Sequence, residues 1–410
     1  MMSRSLDSLI KAGQGVQEAV PLGDDLFMSR GIANSYLVKT ASGNVLINTG
    51  LHFEAPEIRS RFSRVAEGAP RAIVFTQGHP DHVGGWSQFA GPDVETIAQA
   101  NHADVREYWY RLQPYYAARI AKLWARFTGD IDASYQPPEP VLTTAFVDRH
   151  ALELGGRRVE LYATPGGETT DALVVWLPDE RTVFVGNLLG PMFGHMPNLY
   201  TIRGDKIRSA IAFMHSVDRV LGLEPETLIN GHEVFRGADS VRTTLTKVRD
   251  ATAYLRDRTI DGMNQGRPLW DLMSQVTLPG DLALPEMHGK VPWIVRAIWE
   301  EHTGWFRYES TTELYDEPAS TVWADIADLA GLEALTRRAR QHADAGRPLR
   351  ALHLTDIVLS RTPHDEAALL VKRDASVQLL EASGQENFSE VQWLQSEIFE
   401  IDGQLGRQPA

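Results

Sequence analysis

The amino-acid sequence predicts an α/β fold followed by a mostly helical half, and three observations carry that reading. Short apolar runs of four to seven residues, bounded by Gly, Pro or Asp, recur through the first half. One of them leads directly into a polar segment rich in metal-ligand types, Thr76-Gln-Gly-His-Pro-Asp-His-Val-Gly-Gly85. From about residue 245 onward, Ala and Leu recur at helical spacing between Gly/Pro breaks.

Residues 35–40 (SYLVKT) and 45–48 (VLIN) read as paired strands joined by a turn through Ser42-Gly43. Residues 71–75 (RAIVF) form a strand that stops at Thr76-Gln77-Gly78 and delivers a loop. Further strands are expected at 159–163, 173–177, 182–185 and 227–230. Loops that leave strand ends are where catalytic groups usually sit, because the sheet holds them rigidly. Between about 100 and 130 the pattern turns helical. Val105, Trp109, Leu112, Tyr116, Ile120 and Leu123 recur at spacings of three and four, with an interruption near Pro114. The segment is aromatic (Tyr108, Trp109, Tyr110, Tyr115, Tyr116, Trp124), which suits either core packing or an apolar lid. On the second reading Trp109, Tyr110 and Tyr116 are the candidate substrate wall.

The helical half is clearest at 332–345, 349–361 and 365–380, with breaks at Gly346-Arg347-Pro348 and Thr362-Pro363. Such paired helices resemble a short tetratricopeptide-like array, better suited to packing against a partner than to standing alone. The domain division expected from this pattern is 1–245 and 246–410.

A chain of 410 residues is long enough for two or three domains. With 43% hydrophobic and 23% charged residues it has the balance of a globular protein able to bury substantial cores. Its net charge of -14 argues against a nucleic-acid partner, since phosphate backbones demand a basic surface. There is no cysteine, so any metal must be held by His, carboxylate or amide ligands. The opening MMSRSLDSLIKAGQG lacks the apolar stretch of a secretory signal, and no apolar run is long enough to span a bilayer, so a cytoplasmic protein is expected.

His79, Asp81 and His82 lie within four residues, directly after a strand and before Gly84-Gly85. A tight loop can turn these side chains inward together, and imidazole with carboxylate suits zinc, iron or manganese. The run resembles the HxHxDH motif of the metallo-β-lactamase superfamily, with Gln77 where the first His is expected. Other landmarks follow in order. Residues 34–50 are similar to the opening hairpin and its Asp-Thr-Gly turn, with Asn48 for Asp. Thr164-Pro-Gly-Gly-Glu168 is similar to the third motif, with Glu168 for His. Val183-Phe-Val-Gly-Asn187 resembles the motif that supplies a bridging Asp, and Asn230-Gly-His232-Glu the one that supplies the last His.

A carboxylate in the third motif, within a Pro-Gly-x-Glu sequence, points to the alkylsulfatase branch, as does Asn198-Leu-Tyr-Thr-Ile-Arg203-Gly. Downstream, Tyr254-Leu-Arg-Asp-Arg, Met263-Asn-x-Gly, residues 292–298 and Gly304-Trp-Phe306 resemble that branch's helical dimerisation domain. The resemblance covers about residues 30 to 390. Neither the secretory signal of many relatives nor their C-terminal sterol-carrier-like domain is expected from this sequence. The fold it implies is an αββα sandwich followed by a helical dimerisation domain, and the partner it implies is a second copy of the chain.

The resemblance also implies the ligands. Asp81, His82 and His232 form an intact set for the tighter metal, with His79, Glu168 and the weaker amide donor Gln77 as the other. The family's bridging Glu falls at Gly186, and a neutral Asn187 cannot offset the repulsion between two dications. One zinc, or one tight and one weak, is therefore expected, with iron or manganese as other occupants. The implied reaction is hydrolysis of an alkyl or aryl sulfate ester or related compound by water activated at the metal or by a carboxylate such as Asp81. Arg203 would hold the leaving anion through paired donors, or else form a surface ion pair. His195 is the candidate acid, or else a solvated loop residue. A mononuclear non-haem iron oxygenase and a degenerate metal-binding or scaffold protein are the competing readings.

Overall fold

A computed structural model describes residues 11–128 and 136–407, without the side chains of 124–128. Two sheets build the first part. Strands β1 (Val20–Gly23), β2 (Leu26–Ser29), β3 (Ser35–Val38), β4 (Val45–Ile47), β5 (Ala72–Val74), β6 (Glu95–Gln99) and β7 (Thr144–Phe146) lie in that order in a seven-stranded sheet. The second sheet has six strands: β8 (Arg149–Leu154), β9 (Arg157–Ala163), β10 (Leu173–Leu177), β11 (Thr182–Gly186), β12 (Thr227–Asn230) and β13 (Val234–Arg236), side by side.

The sequence pattern explains the placement. LVVWL of β10 and TVFVG of β11 are buried at every position, as central strands covered on both faces must be. Successive side chains of β10 point to opposite faces. Val175 therefore packs with Phe184, Leu161, Val38, Val74 and Ile97 in the core between the sheets. Val174 and Trp176 face the other way, onto helices α5 (Ala210–Gly222), α6 (Ala238–Asn264), α7 (Leu269–Gln275) and α8 (Val291–Thr303). On the far side of the first sheet, Ile58 and Phe62 of α1 (Ala55–Ser63) cover Leu37, Leu46 and Ile73. The layers are thus helix, sheet, sheet, helix.

Seven strands anticipated from the sequence are present within a residue or two of their expected ends. The expected aromatic helix is two: α3 (His102–Arg111) and α4 (Gln113–Thr128), parted next to Pro114, which has no N–H to continue the first. Before them, α2 (Pro80–Val83) is a single turn opened by Pro80.

The described residues divide into two compact units, parting after Glu301 except that Lys122–Trp124 groups with the second. The change from strands to helices comes earlier, after Arg236. In the second unit, α9 (Trp323–Ala330), α10 (Leu332–Asp344), α11 (Pro348–Arg361), α12 (Glu366–Ala382) and α13 (Phe388–Gln404) follow one another. A small Ala-rich core (Ala339, Ala343, Ala351, Val371, Ala375) lets α10, α11 and α12 approach closely. Asp365 and Asn387 cap α12 and α13 by accepting from backbone N–H groups of Ala368 (2.8 Å) and Glu390 (3.1 Å). No helix among the described residues is long and apolar enough to cross a membrane.

Candidate metal centre

Strand ends from both sheets meet at one place, and cross-sheet bonds hold them there. Asn34 N donates to Gly231 O (2.7 Å), Tyr36 Oη to Asn230 O (2.7 Å) and Leu173 N to Thr76 O (2.9 Å). Asn48, in a left-handed conformation that Asn tolerates, clasps Thr76: its Oδ1 accepts from Thr76 N and its Nδ2 donates to Thr76 Oγ1, both at 3.0 Å. Thr76 Oγ1 in turn lies 3.4 Å from His82 Nδ1. The single turn of α2 then swings Asp81 and His82 to one side, and His82 O is pinned by Thr49 N at 2.8 Å.

Two groups of candidate ligands result. In the first, Glu168 Oε2 accepts from Gln77 Nε2 and Asn187 Nδ2, each at 3.0 Å, and lies 3.2 Å from His79 Nδ1. Arg208, itself buried, places Nη2 3.6 Å from Glu168 Oε1 and donates through Nε to Glu168 O at 2.9 Å. Burial opposes the charge on Glu168, but His79 and Arg208 outweigh it and hold the carboxyl well below the usual range. Burial likewise opposes charging His79, yet its bonds to Asp205 and Glu168 raise its pKa.

In the second group, His82 Nε2 stands 3.4 Å from Asp81 Oδ2. His232 is fixed by Asn230 Oδ1, which accepts from its backbone N–H at 2.8 Å, and its ring is bonded to the backbone of Ile32. Burial pushes His232 down to about 4 and lowers His82 as well, so both imidazoles are kept neutral, as ligands must be. The groups adjoin at Gly231, where any Cβ would collide with Asn187 Oδ1 and come 3.5 Å from His82 Cε1.

Among the described residues no three His, Asp or Glu side chains stand in closed ligating geometry. The donors nevertheless fit a cation. Gln77 Oε1, His82 Nε2 and Asn187 Oδ1 are buried polar atoms with no hydrogen-bond partner among the described residues, a costly state that a metal relieves. The set is imidazole, carboxylate and amide, the chemistry of zinc, iron or manganese.

Gly186 lies beside the centre rather than in it. Its φ is +52° and a Cβ there would come 2.6 Å from Thr76 Oγ1, so no carboxylate can enter from this position. Asn187 instead reaches Glu168. The aromatic segment reaches the centre through Trp109, whose ring is 5.1 Å from that of His79 and stacks on Tyr116 at 4.4 Å. Arg203 lies over Trp109 as well, its guanidinium 5.2 Å from the ring centre. Tyr110 is exposed, and the neighbouring Tyr108 meets the site in its stead. The Trp124 side chain lies outside the described residues. His195 is half-buried in the loop before Met196, and none of the contacts above passes through it.

Sequence reasoning missed Asp205 and Arg208. Asp205 Oδ2 sits 3.1 Å from His79 Nε2, and its only signal was proximity to the Asn198–Gly204 stretch. Arg208 carried no sign of being buried. A small cavity beside Glu168 and Arg208 is also lined by Asn198 and by His288, which burial pushes down to about 3.

The family model described as the metallo-beta-lactamase superfamily matches residues 28–232, and one described as alkyl sulfatase dimerisation matches 270–401. A linear primary-alkylsulfatase of a Pseudomonas strain is 26% identical over 298 residues, covering 66% of this chain and 56% of its own length. An (R)-specific secondary-alkylsulfatase of Pseudomonas is 25% identical over 403 residues, covering 89% of this chain and 59% of its own. The chain therefore spans less than three fifths of either relative. The structure of the stereoselective inverting sec-alkylsulfatase Pisa1 from Pseudomonas superposes with a TM-score of 0.83 at 21% identity, over 95% of this chain and 66% of that one. The half of the chain that holds the ligand loops matches one family across its full run of motifs, and the chain belongs to the metallo-beta-lactamase superfamily.

Proposed function

We propose that the chain is a metal-dependent hydrolase of alkyl or aryl sulfate esters, acting as a homodimer. One observation carries the substrate class. Arg203 lies one aromatic ring away from the metal loop, over Trp109, which itself abuts His79. That arrangement offers a planar cation for a sulfate group and an apolar wall for its alkyl tail within reach of the candidate ligands.

Asp81, His82 and His232 would hold the tighter zinc, and Gln77, His79 and Glu168 a weaker one. A bound divalent cation supplies hydroxide at neutral pH by lowering the pKa of water from 15.7 toward roughly 7. The chain's own groups do the rest. Asp81, partly accessible beside His82, orients the attacking water and takes up its proton. Arg203 binds the sulfate oxygens and offsets charge as the ester bond breaks. Trp109 and Tyr116 pack the tail and exclude water. His195 is the proposed donor of a proton to the leaving alcohol oxygen.

The dimer is supported by the match over 270–401 and by exposed apolar side chains in the second unit, among them Trp305, Tyr308, Tyr315 and Leu329. The test is elemental analysis of the purified protein together with a screen of sulfate, phosphate, lactone and thioester substrates. Zinc with turnover of a sulfate ester, both abolished by His82→Ala, is the expected result. Stoichiometric iron with oxygen consumption would overturn hydrolysis, and a monomeric mass by light scattering at micromolar concentration would overturn the dimer.

A further inference from the structure

We propose that Asp205 is a positioning residue that sets the tautomer of His79 and ties the anion-holding loop to the metal loop. The proposal rests on the reading of His79 as a ligand. The Asp205 side chain is 1% exposed and sits at a junction of three segments. Its Oδ2 is 3.1 Å from His79 Nε2 and 3.7 Å from Arg203 Nη2. Its Oδ1 accepts from Tyr108 Oη at 2.9 Å and from Lys206 N at 2.8 Å.

An ionised carboxylate can only accept, so the hydrogen shared with it must sit on His79 Nε2. The Nδ1 lone pair is then left facing the other way. In the neutral ring it accepts from Gln77 Nε2 at 3.0 Å and faces Glu168 Oε2 at 3.2 Å. Two acceptors that close are bridged by a proton in the metal-free protein or by a metal ion that replaces it. Asp205 therefore aims the one free lone pair of His79 at Glu168, the outer-carboxylate arrangement by which a ligating imidazole is oriented and made more basic. Arg203 shares the same carboxylate and stacks on Trp109, so one buried group fixes both the ligand and the anion holder. Tyr108 completes the hold from α3.

Zinc titration of the metal-stripped full-length protein, with a competing chromophoric chelator, tests this. The relevant step of the isotherm is the one that disappears in His79→Ala. Asp205→Asn, near-isosteric but able to present an N–H to Nε2, weakens that step about 10- to 100-fold. In the His79→Ala background Asp205→Asn has no further effect on zinc, which a merely structural role would not produce. Tyr108→Phe, which removes only the Oδ1 bond, leaves the step within about threefold, and Asp205→Glu restores part of the loss. An unchanged step in Asp205→Asn, or additive losses in the double variant, overturns the proposal while leaving the metal reading intact. Wild-type protein that takes up no zinc overturns both.

Discussion

The Arg203 guanidinium stacks over the Trp109 indole, 5.2 Å from the ring centre, while its Nη2 stays 3.7 Å from Asp205. A flat cation held on a ring face presents its remaining N–H fork in a fixed direction, which a lysine ammonium cannot do. Arg203→Lys therefore keeps the charge but loses orientation. The expected outcome is a rise in KM of about tenfold for a sulfate ester, since roughly 1.4 kcal/mol of binding is lost. Zinc content stays unchanged, because Arg203 is not a ligand. Trp109→Ala should raise KM most for long alkyl tails and least for short ones, a comparison that steady-state kinetics on a homologous ester series provides.

The contact of Gly186 with Thr76 bears on the second group of ligands as well as on folding. Gly186→Ala places a methyl 2.6 Å from Thr76 Oγ1 at a φ of +52°, a conformation that costs a Cβ-bearing residue about 1 kcal/mol even in open space. Thr76 must shift, and with it the group that faces His82 Nδ1. A loss of about 2 kcal/mol in denaturant melts is expected, with weaker zinc binding. Gly186→Glu should not create a bridging carboxylate and should be at least as damaging. An active, zinc-replete Gly186→Glu protein would contradict this geometry.

Acidification separates the two ligand groups. Burial keeps His82 and His232 low, the latter at about 4, so protons do not compete for these nitrogens until the pH is well below neutrality. His79 is shifted the other way: burial opposes its charge, but Asp205 and Glu168 prevail and raise it above its ordinary value. Ligation requires a free lone pair, so a raised pKa means that affinity falls as pH drops through the neutral range. Zinc bound through His79 is then expected to leave first as the pH falls, while zinc on Asp81, His82 and His232 persists. Stoichiometry measured by chelator competition across that range gives the order of loss, and simultaneous release of all zinc would contradict it.

The sequence made much of this legible because strands and ligand loops are local. The run Arg71–Phe75 followed by His79, Asp81 and His82 is contiguous, and its strand alternation and turn residues state the geometry directly. Edge strands were harder. β1 and β8 alternate between exposed and partly covered positions and have no continuous apolar run, so nothing set them apart from loops. The side chains that bridge distant segments were invisible for a different reason. Asp205 meets His79 across 126 residues, and Arg208 is buried only because Glu168 and Asn198 receive its bonds, a fact no local pattern encodes. Tyr108 and Tyr110 are equally aromatic, and only the helix's orientation decides which one faces the site.

His102 and Asp171 make a second buried pair behind the metal loop, with Nδ1 2.7 Å from Oδ2 and Thr169 bonded to the other carboxylate oxygen. The His102 ring stacks on Phe75 with 5.7 Å between centres, at the end of β5, and a Cβ on Gly78 would come 3.0 Å from Asp171 Oδ2. Asp171 thus braces the loop from beneath without belonging to either ligand group. Removing one member of a buried pair strands the other, at a cost of about 3–5 kcal/mol, so Asp171→Ala should lower the melting temperature by several degrees. Burial raises the Asp171 pKa, but the His102 bond prevails and lowers it below the unfolded value. A depressed carboxylate contributes stability that is present above its unfolded pKa of about 3.9 and is lost as pH falls through the folded value. Unfolding curves at neutral pH and near pH 3 should therefore converge between wild type and Asp171→Asn as the acid limit is approached. A difference that stays constant over that range would mean the carboxylate's charge is not what holds the loop.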